Sequence, residues 1–160
     1  MQIICFHKPK EENGYLSNWH RSPFTIGGMR YSSMEQYMMQ QKAVCFHDAA
    51  VAAQIMGTDD PALIKEFGRQ VSGYDANIWN GVRQIIVYEG LLAKFSQDEE
   101  LKARLAGTGD AVLAECAVHD RIWGIGLSMQ DADRLDIGRW KGQNLLGYAL
   151  MMARAKLQRA

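Results

Sequence analysis

Glu35 and Lys42 lie in the stretch Ser32-Ser33-Met34-Glu35-Gln36-Tyr37-Met38-Met39-Gln40-Gln41-Lys42-Ala43. On a helix their separation is nearly two full turns, so a carboxylate and an amine share one face. A carboxylate there can move a proton or offset a developing positive charge, and an amine can neutralise an anion or, once desolvated, attack an electrophilic carbon. Two plainer readings compete for the same residues. Ser32 with Glu35 fits a capping box, in which the carboxylate only satisfies the first backbone amides. Ser33 with Gln36 fits the same box one residue later, and that register leaves Glu35 to face a pocket. Lys42 taken alone reads as a solvated surface lysine.

The elements around this pair follow from pattern and punctuation. Phe24 to Tyr31 reads as a hairpin whose apolar residues alternate about Gly27-Gly28, and it delivers the Glu35 helix. Gln2 to Phe6 suits a strand, broken by the charged, proline-containing loop from Lys8 to Gly14. Asp48 precedes an alanine-rich helix through Met56 that Gly57 closes. Asp60-Pro61 opens another helix, with Gly68 as its expected stop. From Asn77 to Phe95 the residues Ile78, Val82, Ile85, Tyr88, Leu92 and Phe95 recur at steps of three and four. They predict a long amphipathic helix with Trp79 toward the edge of its inner face. Ser96 with Glu99 predicts a capping box for the next helix, in which Leu101 and Leu105 face inward until Gly107. Val112 to Ala117 suits a strand, and Asn144 to Leu157 a closing helix with Asn144 at its N-cap. The fold class is α+β, a mainly helical single domain over residues 1–160 with a few short strands. Strand and helix do not alternate as a doubly wound sheet requires, and Gly124-Ile125-Gly126 is no dinucleotide fingerprint.

Composition narrows the function classes. A chain of 160 residues can bury a core unaided. Lysine plus arginine matches aspartate plus glutamate at 18 each, so no global field draws the chain to nucleic acid or an anionic membrane. Cys5, Cys45 and Cys116 are scattered among apolar neighbours, as reduced thiols of a cytoplasmic protein would be. His7, His20, His47 and His119 never fall at a metal-ligand spacing, so no metal site is expected. No apolar run is long enough to span a membrane, and the N-terminus does not read as a secretion signal.

Several blocks, in order, resemble the NADAR family: Leu16-Ser17-Asn18-Trp19, Glu35 through Lys42-Ala43, Trp79, Lys94-Phe95, Thr108-Gly109-Asp110, Glu115, Asp120 through Leu127, and Trp140 through Gly147. They run nearly the length of the chain. The resemblance implies a single-domain, largely helical α+β fold and an N-glycosidase that cuts the bond between a ribose anomeric carbon and a nitrogen, with no cofactor. Two substrate classes come with it: early phosphoribosylated pyrimidine intermediates of riboflavin synthesis, and ADP-ribose attached to guanine in nucleic acid. In some members an aspartate follows Trp-Gly, where this chain has Ile125.

Breaking a ribosyl C–N bond builds positive charge on the sugar and negative charge on the departing base. Glu35 is the expected carboxylate, by stabilising the sugar cation or by deprotonating the attacking water. Lys42 either neutralises a phosphate or attacks the anomeric carbon as an amine, passing through a Schiff base. Trp79 and Trp123 offer flat faces to a base, and Gly124 permits close approach of backbone to a ligand. Asp120 either orients Arg121 and sugar hydroxyls or starts a turn. Asn18 and Asn144 can bond sugar or base, and the final helix would then point its N-terminus at phosphate. Arg69 and Lys141 are weaker phosphate candidates. The balanced charge favours a small ribosylated nucleobase over ADP-ribosylated nucleic acid. A rival of another class is a non-catalytic ADP-ribose or NAD-binding module.

Overall fold

The computed structural model describes residues 1–160. It divides into two compact units: a middle unit, Arg21–Lys94, and an outer unit made of Met1–His20 with Phe95–Ala160.

In the middle unit β2 (Phe24–Ile26) and β3 (Met29–Tyr31) form the expected hairpin. Gly27 and Gly28 take φ of 59° and 79°, the left-handed geometry that a tight two-residue turn requires. The register sets Phe24 opposite Tyr31, stacked at 5.8 Å, and both rings meet Tyr37 edge-on. This aromatic cluster fixes where α1 (Met34–Cys45) leaves the hairpin. α2 (Ala49–Met56) and α3 (Pro61–Arg69) pack on α1, capped by Asp48 and Asp60, whose carboxylates accept from the backbone N–H groups of Val51 and Ala62.

Gly68 does not stop α3; the helix runs on to Arg69. A Cβ at Gly68 would strike the Met39 sulfur, so the glycine serves the close crossing of α3 and α1.

α4 (Ala76–Ser96) is the predicted long helix, but its inner face is rotated from the predicted one. Ile78 and Ile85 are 52% and 62% exposed, whereas Trp79, Val87, Leu91, Lys94 and Phe95 are buried. The pivot is Gly90. A Cβ there would come within 2.6 Å of the Tyr37 ring and 2.8 Å of Met34, so this bare face, not the isoleucine stripe, lies against α1. Trp79 is buried on this rotated face, toward one side of it.

In the outer unit β1 (Ile3–Phe6) pairs in parallel with β4 (Val112–Glu115), Ile3 opposite Val112 through Phe6 opposite Glu115. α5 (Glu99–Gly107) is capped by Asp98, which accepts from the N–H groups of Glu100 and Leu101 at 3.0 Å each. Ser96 is the last residue of α4, so the predicted Ser96 box does not form. α6 (Leu145–Gln158) packs on β4, with Gly147 set against the Leu113 carbonyl where no side chain would fit. Arg154 of α6, itself buried, donates to Thr108 Oγ1 at 2.8 Å and to the Ala111 carbonyl at 2.9 Å, which ties α6 to the turn before β4. The result is a mainly helical α+β fold with two short two-stranded sheets.

Candidate active site

The head of α1 decides between the two capping registers. Ser33 is the N-cap, and its Oγ accepts from the Gln36 backbone N–H at 3.2 Å. Gln36 Oε1 accepts from the Ser32 backbone N–H at 2.7 Å and its hydroxyl at 3.0 Å, while Nε2 donates to the carbonyls of Ile55 and Thr58. Capping thus falls to Ser33 and Gln36. Glu35, only 5% exposed, is held in the first turn of α1, where the helix dipole favours a negative charge.

Lys42 is not a solvated surface lysine. Its Nζ donates to the Gly68 carbonyl at 2.8 Å and lies 4.7 Å from the centre of the Tyr74 ring. Burial pulls its pKa below the ordinary lysine value; Glu35 acts to raise it and Arg69 to lower it further. Glu35, Lys42 and Arg69 therefore share one electrostatic neighbourhood in the middle unit, with Arg69 itself exposed. Trp79 stands in the same unit, 5% exposed, its ring enclosed rather than displayed.

Asp120, Trp123, Gly124 and Asn144 come together in the outer unit. Asp120 starts a turn: its Oδ1 accepts from the backbone N–H groups of Ile122 and Trp123, both at 2.9 Å, and so presents the half-buried Trp123. A Cβ on Gly124 would lie 2.9 Å from both the Asp120 and Glu115 carbonyls, so the close approach this glycine permits is to the chain's own backbone.

Asn144 takes φ of 54° and makes no side-chain cap. Its Nδ2 donates to the Leu113 carbonyl at 2.8 Å and its Oδ1 accepts from the Glu115 N–H at 3.1 Å, so the amide clamps α6 to β4. The first α6 amides do not face a phosphate either: Leu145 and Leu146 donate to the carbonyls of Ile122 and Trp123. The helix N-terminus is spent on holding the Trp123 loop. Asn18 is buried, and its Oδ1 has no hydrogen-bond partner, an acceptor that a ligand donor would satisfy. Arg121 and Lys141 are exposed neighbours across Gly126, whose Cβ would lie 3.2 Å from Arg121 Cγ and 3.1 Å from Lys141 Cβ. The ion pairs of this unit lie elsewhere, from Arg139 to Asp133 and Asp136.

Two chemically capable residues carried no role in the sequence reading. Glu115 ends a parallel strand, the end where open α/β sheets place ligands, and its backbone is pinned by Asn144 and by the Ile125 N–H at 2.8 Å. Lys94 is 1% exposed, and burial lowers its pKa to about 7. No three histidine, cysteine or acidic side chains converge as a metal ion would need, and no helix is long and apolar enough to cross a membrane.

The profile of the NADAR domain matches residues 5–158. The chain belongs to the NADAR family. It is 41% identical over 128 residues to N-glycosidase R617 of Acanthamoeba polyphaga mimivirus, covering 80% of this chain and 75% of that protein. It is 32% identical over 155 residues to N-glycosidase YbiA of Escherichia coli, covering 97% and 88%. A riboflavin biosynthesis protein of Vibrio vulnificus is 30% identical over 157 residues, 98% of this chain but 39% of that protein. The NMR structure of the E. coli protein YbiA matches the fold with a TM-score of 0.81 at 31% identity, covering 99% of this chain and 86% of that one. As a NADAR domain, the chain places its acid and half-buried amine on α1 and its polar loop cluster beside β4.

Proposed function

We propose that this NADAR N-glycosidase hydrolyses the bond between a ribose anomeric carbon and a nucleobase nitrogen in a small phosphoribosylated pyrimidine, of the kind met early in riboflavin synthesis. The observation that carries the reading is Glu35, a buried carboxylate whose helix is capped by other residues. As the C–N bond stretches, positive charge spreads over the sugar ring, and a buried carboxylate stabilises that charge far more than an exposed one. The same group can take a proton from the water that attacks the anomeric carbon, while the base leaves with its bonding electron pair. Within the outer unit by itself, Trp123 has a half-open aromatic face, Asn18 Oδ1 is an unsatisfied acceptor, and Arg121 and Lys141 carry exposed positive charge, groups of the kinds that suit a base, a sugar hydroxyl and a phosphate. Balanced overall charge and the name of the Vibrio vulnificus relative support a small substrate of the riboflavin pathway.

A second reading, removal of ADP-ribose from guanine bases in nucleic acid, draws on Lys42. Its lowered pKa raises the fraction of free amine, which suits attack on the anomeric carbon and a Schiff base with the opened sugar.

The test is to incubate the protein with a phosphoribosylated pyrimidine and, separately, with an ADP-ribosylated guanine oligonucleotide, and to resolve products by mass spectrometry. Free pyrimidine base and ribose phosphate are expected. Release of ADP-ribose from the oligonucleotide alone would overturn the first reading in favour of the second.

A further inference from the structure

Cys5 and Cys116 occupy one face of the β1 and β4 pair. The parallel register sets Cys5 level with Ala114. Side chains alternate along a strand, so Ala114 points to the side that Cys5 faces, and Cys116 follows just past the end of β4. Both thiols belong to one cluster, with Cys116 beside Ile125 and Leu127 and with Cys5 packed against that group. The backbone brings Cys116 inward. Its N–H donates to the Phe6 carbonyl at 2.8 Å, and the Ala117 N–H turns back to the Glu115 carbonyl at 3.1 Å, which makes Cys116 the middle of a three-residue turn, bent out of strand geometry. Cys116 Sγ donates to the Ala114 carbonyl at 3.9 Å, and the Cys116 thiol and the Arg134 guanidinium are the groups that act on the Cys5 sulfur. Arg134 is itself held in place: its Nη1 donates to the Asp131 carbonyl at 2.9 Å, and its own carbonyl accepts from Trp140 Nε1 at 2.9 Å. Cys5 is partly exposed and Cys116 is buried behind it.

We propose that Cys5 and Cys116 form a site of reversible oxidation, closed to an intramolecular disulfide by a hydroperoxide, with Cys5 attacking first and Cys116 resolving. The Cys5 thiolate attacks one peroxide oxygen, the O–O bond breaks, and Cys5 becomes a sulfenic acid while water or an alcohol departs. Cys116 sulfur then displaces the sulfenic oxygen, which leaves as water with the Cys116 proton, and the S–S bond forms. Peroxide takes up the two electrons that the thiols give. The groups around Cys5 suit this order: the neighbouring Cys116 thiol and the charge of Arg134 lower its pKa to about 7 against the opposing effect of burial, whereas Cys116 is raised and stays a proton donor. Cys45, at the end of α1 in the other unit, serves as an internal control. The thiol pair takes no part in the glycosidase chemistry above, so the two proposals stand or fall separately.

The test treats the reduced, full-length protein with hydrogen peroxide and follows intact mass and peptide maps. The expected result is a loss of about 2 Da, reversed by dithiothreitol, with the Cys5 and Cys116 peptides joined. Cys45→Ser should behave the same way, and Cys116→Ala should accumulate a dimedone-reactive sulfenic acid on Cys5. Should Cys116→Ala fail to fold, the map of the unaltered protein decides the matter. Modification of Cys45 ahead of Cys5, a disulfide that includes Cys45, or Cys5 passing to a sulfinic acid with Cys116 untouched would each overturn the proposal.

Discussion

Replacing Glu35 with glutamine removes a charge and keeps the shape of the side chain, so it separates catalysis from packing. Glu35→Gln is expected to lower kcat by about 10² to 10³ while circular dichroism and Tm stay close to those of the parent; near-normal kcat would remove Glu35 from the chemistry. Lys42 calls for a different experiment. If its amine attacks the sugar, borohydride added during turnover should trap a covalent adduct that maps to the Lys42 peptide, and Lys42→Arg, which keeps the charge, should lose most activity. Retained activity with no adduct would leave Lys42 a charge partner and direct attack by water as the route; an adduct on Lys94 would move the amine role to α4. At this scale Glu35 was legible because Ser33 and Gln36 stand at capping distance, which released the carboxylate from that duty. Asn144 and Lys42 were less so. The spacing that marks an N-cap says nothing of the Leu113 carbonyl, nor that of Lys42 about the Gly68 carbonyl and the Tyr74 ring that half-bury it.

Among the elements, α6 and β4 are joined by contacts that single substitutions can isolate. Asn144→Gly keeps the positive φ without strain and deletes only the amide, leaving the Leu113 carbonyl and the Glu115 N–H unsatisfied. Each orphaned group should cost about 1–3 kcal/mol, read as a lower midpoint in urea unfolding. Gly147→Ala meets the Leu113 carbonyl and the Asn144 amide, which is itself bonded in place, so a loss of about 1–3 kcal/mol is expected there too. Element positions were largely readable from caps, glycines and apolar periodicity. The orientation of α4 was not, because both of its faces carry aliphatic residues and the choice was made by the bare patch at Gly90. Nor was the partner of β1. A short apolar strand near the start of a chain carries no mark of a mate beyond residue 110.

For the molecule as a whole, Lys94 links burial to pH. Its pKa falls from 10.5 to about 7 on folding, so between those values the unfolded chain binds a proton that the folded one does not. Stability should therefore rise with pH from about 7 toward 10.5, and Lys94→Met should flatten that part of the profile, as measured by urea midpoints across the range. At still higher pH the raised pKa values of Tyr15, Tyr31 and Tyr37 act the other way, since the unfolded chain loses those protons first. The helical α+β class was legible in the sequence; the division into two units was not, because no change in composition marks Arg21 or Lys94. That division orders events on the ribosome. The middle unit is complete in the chain as soon as Lys94 emerges, whereas β1, made first, stays an unpaired strand edge until Val112–Glu115 follows. Such an edge invites pairing with other nascent chains. The run Lys8-Pro9-Lys10-Glu11-Glu12 directly behind it supplies the proline and mixed charge that deter such pairing while the second half of the protein is still being made.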